Sequence, residues 1–352
     1  MPDPLVIPTE HGLYCPAGDF HIDPWKPVPR AVVTHAHSDH ATWGCETYLC
    51  AARGLDVLTL RVAPRGEDAR GEGAVRPSFQ PLDWNTLIDV GGVRVSLHPA
   101  GHILGSAQVR LEHKGRVTVI SGDYKTDPDP TCDPFEPVRC DTFITESTFG
   151  LPVYRWPAQR DVFDEINAWW RECQQSGRTG VLFAYALGKA QRLLAGIDAS
   201  IGPILAHGAL LRFNEAYRAA GVALPPVEHA TDENARATRG RALVIAPPSA
   251  NDARWLRKFG PASLAMASGW MRIRGTRRRR ALDRGFVLSD HCDWPSLLNA
   301  VRETGAESVG VTHGYARALS RFLAERGLHT YVVPTRYTGE TDDAPDNASA
   351  EP

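Results

Sequence analysis

The segment 34–40 reads Thr-His-Ala-His-Ser-Asp-His and places three imidazoles and one carboxylate within six positions. It follows the apolar residues 31–33, which predicts that the polar side chains lie at the end of a buried strand. His35 and His37 alternate along an extended chain end, whereas Asp39 and His40 lie past the turn and face another point. Imidazole and carboxylate ligands suit zinc, and without a thiolate manganese is also possible. The pattern predicts a loop that binds two neighbouring metals, the alternative being a polar surface loop.

Further candidate ligands follow other strand-like runs. His102, Asp123 and His313 each come directly after such a run, where a sheet can deliver them to one edge. Each of them alone would be a structural histidine or a turn aspartate. Two cations roughly 3.5–4 Å apart need a shared anion, and Asp123 is the predicted bridging carboxylate.

Composition limits the class of protein. The chain has 352 residues, which predicts two domains or one large domain with an insertion. Its formal net charge of −2 means that any polyanion site must be a local patch. Seven cysteines without a C-x-x-C pair, and no recognisable leader, predict a reduced, cytoplasmic protein. No apolar run approaches the ~18 residues that span a bilayer, so we expect no membrane insertion.

The pattern of elements changes near residue 158. Before it, short β-rich runs recur at 31–34, 93–98, 108–112, 117–120 and 142–145. Residues 61–79 are rich in Gly, Arg and Pro and predict an exposed loop. After it, helical stretches at 161–174, 189–197, 210–220 and 252–259 alternate with apolar runs at 181–184, 203–206 and 242–246. That alternation predicts parallel strands in an inserted α/β block, after which β-rich runs return at 286–288 and 308–312.

The first 150 residues resemble the metallo-β-lactamase superfamily. The matching motifs are Asp23 in His-Ile-Asp-Pro-Trp, the cluster at 35–40, His102 and Asp123. The resemblance implies one metal on His35, His37, His102 and Asp123, and a second on Asp39, His40 and Asp123. It implies that Asp23 orients the loop without binding metal, although a turn residue before Pro24 is the alternative.

The inserted block and the later histidines resemble the β-CASP nucleases. Glu146 in Thr-Glu-Ser-Thr-Phe-Gly matches the first added motif, His291 the second and His313 the third. The resemblance implies a four-layer αββα metallo-β-lactamase fold with an inserted α/β β-CASP domain. The expected boundaries are 1–155 for the first part of the metallo-β-lactamase domain, 156–284 for the insert, 285–338 for the return segment and 339–352 for a disordered acidic tail.

Three longer stretches are similar to the bacterial ligase-associated DNA exonuclease family. They are Gly-Leu-Tyr-Cys-Pro at 12–16, Phe-Ile-Thr-Glu-Ser-Thr-Phe-Gly-Leu-Pro at 143–152 and Phe-Ala-Tyr-Ala-Leu-Gly-Lys-Ala-Gln at 183–191. This similarity implies a DNA exonuclease in repair, acting beside an ATP-dependent ligase and a helicase. DNA-acting β-CASP proteins tend to carry Val at the third added motif, whereas His313 is typical of RNA-acting members, so a β-CASP ribonuclease is the alternative.

Phosphodiester hydrolysis needs an activated water, neutralisation of charge on phosphorus and a proton for the leaving oxygen. Two divalent metals, zinc or manganese, would supply the first two. His291 is the candidate general acid and Glu146 would hold its ring, while Asp39 is counted with them among the catalytic residues. Glu146 as a turn cap and His291 as a structural residue are the alternatives.

The strongest local basic signal precedes the return segment. Seven arginines, including Arg272, Arg274 and Arg277, lie within 272–284 with one acid, and they predict a phosphate-binding patch or else a solvated loop. Lys189 at a predicted helix start and His207 are further candidates for substrate binding, although His207 could instead simply start a helix. A small-molecule thioesterase or lactonase and a non-catalytic nucleic-acid-binding protein are the remaining hypotheses.

Overall fold

The computed structural model describes residues 4–63, 76–273, 275 and 281–336. The chain divides into two compact units. The first is formed by residues up to Val153 and again from His291, and the second by Tyr154–Asp290. No helix in these described ranges is both long and apolar enough to cross a membrane.

The strands of the first unit are β1 (Ile7–Thr9), β2 (Gly12–Cys15), β3 (Phe20–Ile22), β4 (Arg30–Val32), β5 (Thr47–Ala51), β6 (Ser78–Leu82), β7 (Ile88–Val90), β8 (Val93–Pro99), β9 (Ala107–His113), β10 (Arg116–Ile120), β11 (Thr142–Glu146), β18 (Ser308–Thr312) and β19 (His329–Val332). They form one sheet in the order β1 to β6 and another in the order β19-β18-β11-β10-β9-β8-β7. The helices are α1 (Leu55–Val62), α7 (Trp294–Thr304) and α8 (Ala316–Ala324), and a 3₁₀ turn covers Ala52–Gly54.

The core of this first unit has two parts. Alternating apolar residues of both sheets, such as Leu49 of β5 and Val109 of β9, pack together in one buried cluster. Other residues of the second sheet, such as Val309, pack with Leu297 of α7 and Leu319 of α8. The second sheet is therefore covered on both faces, which makes it a rigid support for side chains at its edge.

The second unit is an α/β sheet. Its strands are β12 (Thr179–Phe183), β13 (Ile204–Ala206), β14 (Glu228–His229), β15 (Leu243–Ala246), β16 (Ala262–Ala267) and β17 (Arg284–Phe286). All pair in parallel, in the order β14-β13-β15-β12-β16-β17, as the alternating pattern predicts. The helices are α2 (Gln159–Gln175), α3 (Lys189–Gly196), α4 (Gly208–Ala219), α5 (Asp232–Ala237) and α6 (Ala253–Leu256), with 3₁₀ turns at Pro248–Ala250, Arg257–Phe259 and Gly269–Arg272.

Two features differ from the sequence-based expectation. Arg284–Phe286 pairs with Ala262–Ala267, so residues 285–290, predicted in the return segment, lie in the second unit. In the predicted loop 61–79, Arg61 and Val62 end helix α1 and Ser78 begins strand β6, while residues 64–75 lie outside the described part. The acidic tail at 339–352 also lies outside it.

Candidate metal centre

The His, Asp and Glu side chains predicted as site residues in the first unit converge at one edge of the second sheet. Strands β10, β11 and β18 are parallel neighbours, so their carboxyl ends meet at the same edge. Asp123 follows β10, Glu146 ends β11 and His313 follows β18. The loop after β4 adds the cluster at 35–40, and the loop between β8 and β9 adds His102.

A first group joins His35, His37, His102 and Asp123, whose ligand atoms lie within 4.8 Å of one another. His37 Nδ1 lies 3.0 Å from Nε2 of His35 and 3.0 Å from Nε2 of His102. Asp123 Oδ2 lies 3.6 Å from His35 Nε2 and 3.8 Å from His102 Nε2. Ligands of one tetrahedral zinc are about 3.3 Å apart, so this group matches the spacing of a metal shell.

A second group joins Asp39, His40 and His313. His40 Nε2 lies 3.7 Å from Asp39 Oδ2 and 3.4 Å from Asp123 Oδ2, and the His40 and His313 rings stack at 5.3 Å. The Asp123 oxygen thus faces both groups, as a bridging ligand must. The three residues of the second group line a cavity of about 40 Å³, which exceeds the space that one water needs.

The donors in both groups fit metal ions. In the described part of the chain, His40 Nε2 and His313 Nδ1 are buried and make no hydrogen bond. Such buried nitrogens are costly unless something binds them, and a divalent cation would do so. His35, His37, His102 and Asp123 could therefore hold one metal, and Asp39, His40 and His313, with Asp123 beside them, could hold another. The donor set suits zinc or manganese and does not choose between them.

Asp23 supports the ligand loop. Its Oδ1 accepts a hydrogen bond from Thr34 N at 2.8 Å, and its Oδ2 accepts one from Thr34 Oγ1 at 2.6 Å. The same Oδ2 lies 2.7 Å from His40 Nδ1, so Nε2 of that ring faces Asp39 and Asp123. This is the orienting place that the resemblance implies for Asp23. The role of Thr34 could not be predicted from the sequence, because a lone threonine in a turn carries no signal of function.

Burial and neighbouring charges separate the protonation states of the buried groups. Burial, together with His40 and His102, holds the pKa of His35 well below its usual range. Burial also opposes a charge on His40, but Asp123, Asp39 and Asp23 outweigh it and raise the pKa of His40 well above the usual value. Burial would raise the pKa of Asp123, but His40 and His291 hold it well below its usual range. Burial lowers the pKa of His313.

A third group joins Asp123, Glu146 and His291. His291 Nδ1 lies 2.9 Å from Glu146 Oε1 and 3.0 Å from Oε2, so this carboxylate fixes the ring. Glu146 also accepts hydrogen bonds from Tyr124 N at 2.9 Å and Thr148 N at 3.3 Å. The His291 ring lies 4.7 Å from the ring of His102. The turn-cap interpretation of Glu146 is thus partly correct, since Glu146 caps a turn and also holds His291.

The structure gives less support to the predicted substrate-binding residues. Lys189 is buried, and its Nζ lies 3.2 Å from Asp290 Oδ2, so its charge is already compensated. His207 is the N-cap of α4, where its Nδ1 accepts a hydrogen bond from Ala209 N. Neither side chain is therefore placed as a phosphate ligand. Arg272 is exposed in a 3₁₀ turn, and Arg274 and Arg277 lie outside the described residues.

No family model matches the chain. It is 33% identical over 331 residues, 94% of its length, to the probable DNA ligase of Opitutus terrae, of which it covers 31%. It is 28% identical over 216 residues to the transcription termination factor FttA of Methanosarcina mazei, which spans 54% of this chain and 33% of that protein. It is 29% identical over 122 residues to the endoribonuclease YSH1 of Candida glabrata, which spans 34% of this chain and 16% of that protein. The chain thus spans about a third or less of these curated relatives.

One solved structure is similar in fold. A protein of unknown function from Enterococcus faecalis V583 aligns with a TM-score of 0.57 at 12% identity, covering 87% of this chain and 79% of that one. Similarity at this identity concerns the fold alone. Together with the motifs at 35–40, 102 and 123, the sequence similarities support the metallo-β-lactamase and β-CASP superfamily for this chain.

Proposed function

We propose that this protein is a metal-dependent nuclease that shortens DNA from an end. Within the superfamily we place it in the ligase-associated DNA exonuclease family. The observation that carries the proposal is the convergence of three His and carboxylate groups on Asp123, with each group adjoining the next. Few reactions require two adjacent metal sites and a buried imidazole held by a carboxylate, and phosphodiester hydrolysis is one of them.

The fold proposal follows the same resemblance. We propose the four-layer αββα metallo-β-lactamase arrangement with the second unit, Tyr154–Asp290, as the inserted β-CASP domain. Two observations support it, namely the cluster shared by the two sheets and the packing of α7 and α8 on the second sheet. The parallel sheet of the second unit supports the α/β nature of the insert.

The residues divide the work of hydrolysis among themselves. When bound, a pair of divalent cations would supply an acidified water and neutralise charge on the phosphoryl oxygens. Asp123 would keep the two cations together, and Asp39, His40 and His313 would hold the second cation. Asp23 would keep Nε2 of His40 directed at that position.

His291 is the proposed proton donor to the leaving sugar oxygen. Glu146 engages Nδ1 of the ring, so Nε2 would be the nitrogen that gives the proton. A carboxylate on one nitrogen stabilises the protonated imidazole from which the proton is given. Glu146 is a positioning residue in this scheme, because it acts through His291.

DNA is the favoured substrate, and RNA is the second candidate. Similarity to a protein named as a DNA ligase covers 94% of this chain, which supports DNA and a partnership with an ATP-dependent ligase and a helicase. His313 and the similarity to an endoribonuclease favour RNA.

The seven cysteines are free thiols, which supports the proposed reduced, cytoplasmic location. The arginines at 272, 274 and 277 are still proposed to bind phosphates of the substrate.

The test uses matched single-stranded DNA and RNA oligonucleotides labelled at either end, incubated with protein loaded with zinc or manganese. We expect stepwise shortening of the DNA, with the label position giving the polarity. Asp123→Asn removes the shared ligand and should slow cleavage on the order of a hundredfold or more. Glu303→Gln, an exposed carboxylate on α7, is the matched control and should cut as the wild type does.

The outcomes separate the candidates. Equal cutting by wild type and Asp123→Asn would mean that the activity belongs to a contaminant and would overturn the proposal. Cleavage of RNA with DNA spared would leave the metal centre in place and replace the proposed function with the ribonuclease. Cleavage of neither strand, by protein that contains metal, would favour a small-molecule hydrolase.

A further inference from the structure

The second unit contains a basic cleft that shares no residue with the metal groups. It is formed by helix α5, helix α6 and the 3₁₀ turn Arg257–Phe259, and it has a volume of about 540 Å³. Its lining includes five basic side chains and one indole, namely Arg236, Arg239, Arg254, Arg257, Lys258 and Trp255. Only two carboxylates, Asp232 and Asp252, line it in addition, so the cleft is strongly positive.

The basic side chains of the cleft outnumber its carboxylates, and three of them face solvent. Arg236, Arg254 and Arg257 are exposed. The Asp252 carboxylate is directed at the backbone, where its Oδ2 accepts from the amides of Arg254 and Trp255 at 2.9 and 3.1 Å. Several like charges held close together are unfavourable, and an anionic ligand would relieve their repulsion.

Two of the cations are fixed in place by the backbone around them. Arg239 Nη2 donates to the carbonyl of Lys258 at 3.0 Å. Its side chain lies against Gly260, which has a φ of +71° and where a Cβ would come within 2.8 Å of the arginine. Lys258 Nζ donates to the carbonyl of Ala230 at 2.5 Å. These contacts preorganise part of the cleft, which lowers the entropic cost of binding an anion.

An aromatic side chain accompanies the charges. Trp255 is half-buried, and its ring lies 4.9 Å from the ring of Phe259 and 5.5 Å from that of His207. The ammonium of Lys258 lies 4.8 Å from the centre of the indole. Packing on these neighbours holds the indole in place while part of it remains accessible in the cleft. A fixed aromatic ring beside several cations is the combination with which proteins bind single-stranded nucleic acid.

We infer that this cleft is a binding site for single-stranded nucleic acid, in which Arg236, Arg254 and Arg257 contact phosphates and Trp255 stacks on a base. The inference rests on the proposed function for its ligand class and assigns a site of strand binding separate from the metal ligands. Phosphate contacts and stacking read no sequence, which suits a nuclease that acts on many strands. The ring of His207, predicted as a substrate contact, supports this site indirectly, because it packs 5.5 Å from the ring of Trp255.

The experiment measures strand binding by the full-length chain in EDTA, so that nothing is cut. Fluorescein-labelled oligonucleotides of deoxythymidine and of uridine are titrated by anisotropy at several salt concentrations. Arg257→Glu should weaken binding about tenfold and reduce the salt slope by about 0.7 for each phosphate that the arginine no longer neutralises. Arg160→Glu, which reverses an arginine that is 91% exposed elsewhere in the second unit, should change neither.

An abasic strand of the same length separates stacking from charge. Trp255→Ala should weaken binding of the thymidine strand about tenfold and leave binding of the abasic strand unchanged. Arg257→Glu should weaken both strands. Because an unfolded variant would bind neither, the intact abasic binding of Trp255→Ala also shows that its fold is preserved.

Two results would overturn the inference. One is an equal loss of affinity, relative to the wild type, in Arg257→Glu and Arg160→Glu. The other is a wild-type protein that binds neither strand. Preference for DNA or for RNA supports the site equally and identifies the nucleic acid. Because binding is measured without metal, absence of cleavage in the earlier test would overturn the proposed nuclease function but would not affect this measurement of binding.

Discussion

His40 has the most unusual electrostatic environment among the candidate ligands. It is buried, yet three carboxylates, Asp123, Asp39 and Asp23, hold its pKa well above the usual 6.5. Without metal this pairing stabilises the fold fully below pH 6.5, and the stabilisation is lost as the pH rises through the raised pKa. The raised pKa favours a protonated ring in the metal-free protein, whereas a metal ligand must be neutral.

Metal uptake should consequently release a proton from His40. We expect His40→Asn to release about one proton fewer per chain at pH 7 than the wild type. The apparent metal affinity of the wild type should rise with pH until the raised pKa of His40 is passed. Calorimetry in two buffers that differ in ionisation enthalpy measures the number of protons released.

His98 provides the control for this measurement. Its Nε2 lies 3.0 Å from Ser96 Oγ, and burial lowers its pKa. His98→Asn should release as many protons as the wild type. The same release from all three proteins would contradict the assignment of His40 as a charged group that becomes a ligand.

At the scale of elements, the turn after β10 connects the sheet to the ligand loop. Gly122 has a φ of +57°, and a Cβ there would come within 2.6 Å of Thr34 Cβ and 2.7 Å of Thr34 Oγ1. Thr34 Oγ1 donates to Asp23 and lies 3.1 Å from His35 Nδ1. This close approach seats β10 and its Asp123 beside the histidines.

Gly122→Ala should therefore damage the metal centre as well as the fold. The left-handed backbone alone costs on the order of 1–2 kcal/mol with a Cβ. The clash should in addition displace Thr34, release Asp23 and lower metal affinity by about tenfold or more. Metal content by mass spectrometry and thermal unfolding measure the two effects.

Gly115 in the turn between β9 and β10 is the matched control. It has a φ of +75°, and a Cβ there would meet nothing within 4 Å. Gly115→Ala should show a similar backbone cost and keep its metal. If both variants bind metal as the wild type does, the contact between Gly122 and Thr34 does not position the ligands.

At the scale of the whole molecule, the two units have cores of their own. The first is built on the two sheets and the helices α7 and α8, and the second on the parallel sheet with its helices. Every candidate metal ligand belongs to the first unit. Bound metal should therefore stabilise the two units unequally.

Removal of metal should lower hydrogen-exchange protection in the first unit and leave the second unchanged. Metal present at a hundred times its Kd stabilises the state that binds it by about 2.7 kcal/mol. We expect faster exchange near residues 34–40 and in Thr142–Glu146 after chelation, measured by mass spectrometry. Peptides of Thr179–Phe183 serve as the internal reference, and an equal decrease of protection there would contradict the expectation.

Much of the architecture is predictable from sequence because its signals are local. Alternating or continuous apolar runs placed the strands at 93–98, 108–112, 142–145 and 308–312 to within two residues. Helix α1 at Leu55–Val62 was missed, because it follows the 3₁₀ turn Ala52–Gly54 without a side-chain cap or a Pro to mark its start. Residues 252–259 form a single turn of α-helix and then a 3₁₀ turn, since Gly260 ends the segment in a left-handed conformation.

The types and spacing of the candidate ligands could also be predicted from the sequence, because several His, Asp and Glu residues after strands are together rare enough to mark a site. Tertiary structure decided which of them meet. The parallel register of β10, β11 and β18 brings Asp123, Glu146 and His313 to one edge, whereas His35 comes from the loop after β4 of the other sheet. It also decided that Lys189 faces Asp290, and that Arg236, Arg254 and Arg257 share one cleft. Charges act through space, and the distances between them are set by packing that no local pattern encodes.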